Sequence, residues 1–235
     1  MIRLYYHATP NSRKVALFLE EAGIPYEIVP VDVRKGEQHD AAFLAINPNA
    51  KLPAIVDSNG PAGATRVFDS SAILMYLAEK SGQFMGTPAD RAELLSWLFF
   101  AGTGIGPYSG QSMIFQLLTP EKIPYAINRY RREAERHYRV LDAHLAGRDY
   151  IVGDSFSIVD ISAWGWLDLA PLVLYGNTDP LAPYPHLKRW FQAIDARPAV
   201  ARTRAVDASQ SFKQEYDDEA RRALFPCDFP EIADV

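Results

Sequence analysis

"IRLYYHATPNSRKVALFLEEAG" runs from Ile2 to Gly23, and its change of period decides how the rest is read. Ile2–Tyr6 is a short β-rich run, a strand. Thr9 is a preferred helix cap and Pro10 a preferred first helical residue. Val15, Phe18, Leu19 and Ala22 then recur at i, i+3, i+4 and i+7, and Gly23 stands where a C-cap belongs. Working outward, "YEIVPVDV" (Tyr26–Val33) is a second strand. Its Pro30 cannot donate to a ladder, which places it at a sheet edge or a bulge. "HDAAFLAINP" is a short helix stopped by Asn47-Pro48. "LPAIVD" (Leu52–Asp57) and "TRVFD" are strands either side of the turn "SNGPAGA". "SSAILMYLAEKSG" is a helix with Ile73, Leu74 and Leu77 on one face and Gly82 at its end. The order βαβ then αββα gives one crossover and a terminal hairpin. The expected product is a small mixed sheet with helices on both sides.

Beyond this point the period is helical only. "SGQFMGTPAD" is rich in Gly, Pro and polar residues and reads as a linker. "RAELLSWLFFAG" opens a helix that the cluster "GTGIGPYSG" is expected to interrupt. "PYAINRYRREAERHYRVLDAHLAG" is a long amphipathic helix ended by Gly147. "DSFSIVDISAWGWLDLA" carries Ser157 three residues before Asp160, a capping-box spacing. "YPHLKRWFQAIDARPAV" sets Leu187, Trp190, Phe191 and Ile194 on one face and is expected to stop at Pro198. After about Ala205 the chain turns acidic and loses rhythm, a tail either mobile or draped over the body.

Composition narrows the function. The 235 residues are 48% hydrophobic and 23% charged, enough for a sizeable core. A net charge of −5 argues against a nucleic-acid partner. No apolar run reaches the length of a bilayer span, and "IRLYYHATPN" after Met1 lacks the apolar region of a secretory signal. The single cysteine, Cys227, excludes an internal disulfide and points to a reducing, cytoplasmic setting. One cysteine and five histidines leave no cluster with zinc-ligand spacing, so no metal is expected.

A strand-to-helix turn near a chain's start is a natural seat for a reactive thiolate, since free helical N–H groups and the dipole stabilise an anion. Thr9-Pro10-Asn11 has no thiol. It has the Thr9 hydroxyl and the Asn11 amide, which can each donate to a sulfur brought by a ligand. The same residues also make an ordinary helix start. Asp69-Ser70 opens a second helix, again as a cap or as a holder for the amino-acid end of a ligand, whose carboxylate meets N–H groups and whose ammonium meets Asp. If Leu52-Pro53 is cis, the Leu52 backbone can pair with an extended peptide. Tyr5 and Tyr6 point to opposite faces of their strand, and one of them can approach a thiol. Ser12 is expected to face solvent, and His7 either lines the electrophile pocket or, as is commoner for a loop histidine, is solvated.

"NPNAKLPAIVD", "FDSSAILMYLAEK", "DSFSIVDISAWGW" and "YPHLKRWFQAIDARPAV", in this order, resemble the glutathione transferase family over nearly the whole chain. The resemblance implies an α+β thioredoxin-like N-terminal domain (βαβαββα) over residues 1–81, a linker over 82–89, an all-α helical-bundle domain over 90–206 and a C-terminal extension over 207–235. "TPNSRKVALFLEE", "IPYAINRY", Trp164 and Trp166 are most similar to the bacterial Nu-class, glutathione-dependent disulfide-bond oxidoreductases. That likeness implies glutathione as co-substrate, with Thr9 and Asn11 at its sulfur. It implies Leu52 pairing with the cysteinyl backbone before a cis Pro53, and Asp69 and Ser70 at the γ-glutamyl end. Gln38 and Lys51 would lie near the glycine carboxylate. Arg129 would reach the site from the partner subunit of a homodimer. Asp69 departs from the Glu often found there, one methylene shorter with the charge kept. In serine-type transferases the hydroxyl precedes the first-helix Arg by four residues, which here is Thr9.

The expected chemistry is attack of bound glutathione thiolate on a disulfide, followed by a second glutathione. Two rivals share the site: conjugation of carbon electrophiles, and a non-catalytic glutathione-binding regulatory module. Cys227, in the tail, reads as a bland free thiol.

Overall fold

The computed structural model describes residues 1–61 and 63–228. The chain forms two compact units, one of residues 1–73 with 202–235 and one of residues 74–201.

In the first unit, β1 (Ile2–Tyr6), β2 (Tyr26–Pro30), β3 (Ala54–Gly60) and β4 (Gly63–Phe68) form one sheet in the order β2-β1-β3-β4. β1 pairs parallel with β2, from Ile2↔Tyr26 to Tyr6↔Pro30, and antiparallel with β3, from Ile2↔Asp57 to Tyr5↔Ala54. β3 and β4 make the antiparallel hairpin. This is the mixed thioredoxin-like sheet that the βαβ and ββ order calls for. Alternation puts Ile2, Leu4 and Tyr6 in the core. Pro30 ends β2 at the sheet's edge, where its missing N–H breaks no ladder. β2 stops at Pro30 rather than Val33, and β3 runs from Ala54 through Gly60 rather than from Leu52 to Asp57.

α1 (Pro10–Ala22) starts on the Thr9 cap, whose Oγ1 accepts from Ser12 N–H at 3.3 Å. It ends at Gly23, whose φ of 64° is the left-handed geometry that glycine adopts without strain. α1 is buried on more sides than its periodicity implies: Ser12, Lys14 and Leu17 are enclosed together with Val15, Phe18 and Leu19. Ser12 is therefore not the solvent-facing hydroxyl the sequence suggested. Part of the cover is the returning C-terminal segment. Arg13 Nε donates to Asp207 Oδ2 at 2.7 Å, and Arg202 Nε to Glu20 Oε2 at 2.7 Å. α2 (Ala41–Leu44) follows β2, and α3 (Ser70–Ser81) follows β4.

The second unit is helical. α4 (Arg91–Phe99), a π-helical stretch (Phe100–Ile105), α5 (Gly106–Met113) and a second π stretch (Ile114–Leu118) run on without a break. The expected interruption at "GTGIGPYSG" does not occur. Its glycines serve close approach instead: a Cβ on Gly106 would lie 2.9 Å from Trp166 Nε1, and one on Gly104 would lie 3.0 Å from His137 Nε2. Then come α6 (Pro124–His144), α7 (Ile158–Leu167), α8 (Ala170–Val173) and α9 (Pro185–Asp195), with α5 against α6 and α7 against α4 and α9.

The expected capping box is formed at the start of α7. Asp160, fully buried, accepts from Ser157 N–H (2.9 Å), Ile151 N–H (3.0 Å) and Trp190 Nε1–H (2.9 Å), so one carboxylate ties a loop, a helix start and α9 together.

α9 stops at Asp195, short of Pro198 as expected, and the chain then re-enters a helix. Pro198 opens α10 (Pro198–Ala208), as proline at a first helical position can. A further helix, α11 (Asp218–Leu224), capped by Asp217, lies in the acidic segment. The described part of that segment is draped on the first unit rather than loose. Lys213 N–H donates to Asp32 Oδ2 (2.7 Å), and Arg34 Nη1 donates to the Lys213 and Gln214 carbonyls (2.8 and 2.7 Å). The side chain of Cys227 lies outside what is described.

Candidate functional site

Two helix starts in the first unit carry the candidate residues. At α1, extended backbone at Thr9 (φ −110°, ψ 156°) turns the chain from strand to helix. Its Oγ1 also donates to Ser12 Oγ at 3.0 Å. The capping reading of Thr9 is thus realised in the structure. Asn11 stands in the first helical turn with its Oδ1 accepting from Lys14 Nζ at 2.9 Å.

Lys14 was not singled out from the sequence. It shares a helix face with Phe18, four residues on, and is 1% exposed. Lysine is almost never fully buried without a partner. Burial draws its pKa from 10.5 down to about 7, against the opposing pull of the Asp69 carboxylate. The signal in the sequence was a lysine at the head of the apolar run "KVALFLEE".

At α3, Asp69 caps the helix. Its Oδ1 accepts from Ser71 N–H (2.8 Å) and Ala72 N–H (3.2 Å). Its φ of 70° is left-handed, a conformation that costs a non-glycine residue about 1–3 kcal/mol and clusters at ligand-binding sites. Asp69 is exposed, and Ser70 beside it is buried. Lys14 thus joins the two starts, bonded to one and attracted to the other.

Leu52-Pro53 is a cis peptide. The Leu52 side chain packs with Val31, Phe43 and Ala54. The Lys51 carbonyl accepts from Asn47 Nδ2 at 2.6 Å, and its side chain is exposed. Gln38 is buried. Its Nε2 donates to the Ala223 carbonyl of the C-terminal segment at 2.7 Å and meets His39 Nε2 at 3.1 Å, while Oε1 has no hydrogen-bond partner among the described residues. Arg129 is on α6 in the second unit, where its Nη1 donates to Glu133 Oε2 at 3.0 Å.

The other hydroxyl candidates have different tasks. Tyr5 packs on Phe43, ring centroids 5.8 Å apart. Tyr6 is buried and its phenol donates to Asp207. Burial and the adjacent carboxylate hold that phenol well above its ordinary pKa, the wrong direction for a proton acceptor. His7 is not solvated as expected. It is 6% exposed, Nδ1 lies 3.1 Å from the Val31 carbonyl, and its ring is 4.1 Å from that of Phe212. Burial lowers its pKa. Among the described residues there is no group of three or more His, Cys, Asp or Glu that could hold a metal ion, and no helix long and apolar enough to cross a membrane.

What the unit offers chemically is a pair of helix N-termini, an amide, a carboxylate and a cis-proline bend, with no thiol of its own in the α1 turn. Comparison with known proteins gives the family. The glutathione S-transferase N-terminal domain matches residues 8–80 and the C-terminal domain matches residues 124–193. The chain is 43% identical over 203 residues to the disulfide-bond oxidoreductase YfcG of Escherichia coli (strain K12), covering 85% of this chain and 93% of that protein. A glutathione transferase family member from Pseudomonas fluorescens pf-5, solved with two glutathione bound, is 39% identical with a TM-score of 0.82, over 86% of this chain and 91% of that one. A glutathione transferase from Pseudomonas putida, solved with one glutathione disulfide bound per subunit, is 37% identical with a TM-score of 0.80, over 86% and 90%. The chain belongs to the glutathione S-transferase family.

Proposed function

We propose that this protein is a glutathione-dependent disulfide-bond oxidoreductase of the Nu-class type. Glutathione lies across the two helix starts. The Leu52 main chain pairs with its cysteinyl unit. The α3 start at Ser70 takes the γ-glutamyl carboxylate, and the Asp69 carboxylate takes its ammonium. Lys51 and Gln38 serve the glycyl carboxylate, which requires Gln38 to turn from its bond to Ala223. The Asn11 amide and the Thr9 hydroxyl, turned from its bond to Ser12 Oγ, stabilise the sulfur as a thiolate at the positive end of α1. Arg129 is the contribution of the second subunit of a homodimer, and the protein works in the reducing cytoplasm.

The thiolate attacks one sulfur of a substrate disulfide. A glutathione–substrate mixed disulfide forms and the other substrate sulfur leaves as a thiolate, to be protonated. A second glutathione thiolate attacks the glutathione sulfur of the mixed disulfide, releasing oxidised glutathione and the second substrate thiol. Two electrons pass from two glutathiones to one disulfide. The protein's contribution is thiolate fraction and alignment.

The observation that carries this reading is the first turn of α1, which presents hydrogen-bonding groups for an anion and no nucleophile. The test is Asn11→Ala, assayed with glutathione and bis(2-hydroxyethyl) disulfide beside an aryl chloride. One lost hydrogen bond to an anion is worth about 2 kcal/mol, so disulfide turnover falls about thirtyfold while the fold persists. Undiminished turnover removes Asn11 from the mechanism, and a faster reaction with the aryl chloride favours conjugation instead.

A further inference from the structure

We propose that Lys14 is a positioning residue: its buried ammonium fixes the Asn11 amide with the carbonyl oxygen inward and the N–H₂ toward the bound sulfur. The inference rests on the reading of Asn11 as a contact of the glutathione thiolate. An asparagine side chain is a donor on one edge and an acceptor on the other, and only the donor edge stabilises an anion. Turned over, the same amide would present oxygen to the sulfur and oppose thiolate formation. Lys14 Nζ brings two or three N–H donors and, when charged, no acceptor, so at 2.9 Å from Oδ1 it favours one of the two orientations.

The burial of Lys14 gives the contact its force. With 1% exposure the ammonium sits where few groups can solvate it, so reversing the amide would leave a buried cation facing N–H. The charged group acting on Lys14 is Asp69, at the start of α3. One cation thereby couples the residue assigned to the sulfur and the residue assigned to the γ-glutamyl ammonium. Among the described residues Asn11 Oδ1 is the hydrogen-bond partner of Lys14 Nζ, and a leucine or methionine would fill its volume at less cost.

The experiment measures kcat/KM for glutathione-dependent reduction of bis(2-hydroxyethyl) disulfide against pH in the wild-type protein, Lys14→Met and Lys14→Gln. Met keeps the volume without a donor, and Gln restores an N–H donor without the charge. Lys14→Met lowers kcat/KM at pH 7 at least tenfold and moves the acid limb of the profile up by about one pH unit, because less of the thiol is ionised. Lys14→Gln recovers most of the loss. Combined with Asn11→Ala, Lys14→Met has no further effect, as a residue acting through another requires. An unmoved acid limb in Lys14→Met overturns the proposal, as does Gln falling as far as Met or full additivity with Asn11→Ala. A check without substitution follows the Lys14 Cε and Asn11 Cγ carbon resonances of the wild-type protein. One shared midpoint supports the coupling, and independent titration refutes it. If the wild-type protein itself shows no glutathione-dependent turnover, the functional reading fails instead.

Discussion

The buried lysine makes stability depend on pH in a direction fixed by its position. In the unfolded chain Lys14 keeps its proton up to about 10.5, and in the folded protein burial releases it at about 7. Between these values the unfolded state binds more protons, so stability rises with pH across that window. Below about 7 both states are protonated and the whole penalty of the buried charge applies. Above about 10.5 none of it does. At about 1.4 kcal/mol for each pKa unit, the fall from 10.5 to about 7 amounts to about 5 kcal/mol. Lys14→Met removes that penalty and also the hydrogen bond to Asn11, which contributes about 1–2 kcal/mol. The variant is therefore more stable than the wild-type protein by about 3 kcal/mol at pH 6. The advantage closes as pH rises and reverses slightly near pH 10. Urea unfolding of both proteins at pH 6, 7, 8, 9 and 10 reads this directly, because effects of base on other groups cancel in the difference. A difference that stays constant with pH, or a variant weaker at pH 6, refutes the reasoning. The result also bears on function: a residue that costs the fold this much at neutral pH is kept for another reason.

Asp160→Ala leaves buried donors at Ser157, Ile151 and Trp190 without their acceptor. Stability falls by about 3 kcal/mol or more, seen as a lower Tm in calorimetry. A chain ending at Ser209 loses the cover that Phe212 gives to His7 and the Ala223 carbonyl that holds Gln38. The His7 imidazole, kept low by burial, then titrates closer to its usual value by NMR, and the KM for glutathione falls as the Gln38 amide is released.

The order of elements was legible because each carries its own local signal. Thr9 and Pro10 start α1, Gly23 ends it, and Pro30 marks a strand that tolerates a missing donor. Ser157 and Asp160 lie on one turn, so spacing alone revealed their box. Readings failed where a residue's meaning depended on a distant neighbour. The glycines of "GTGIGPYSG" resemble a break until Trp166 and His137 are seen against them. Pro198 marked the end of α9 correctly, but that it also opens α10 was not legible, because a first helical residue and a terminator share the same fixed φ.

By itself the sequence determined which segments are strands and helices, where the helix starts fall, and that no cysteine stands in the first turn. Those properties depend on residues within a few positions of one another. Only the tertiary structure decided that Lys14 is buried and feels Asp69, that Tyr6 is bound to Asp207, and that the acidic segment closes over His7 and Gln38. Burial and long-range pairing set these, and neither is written in the local period of the chain.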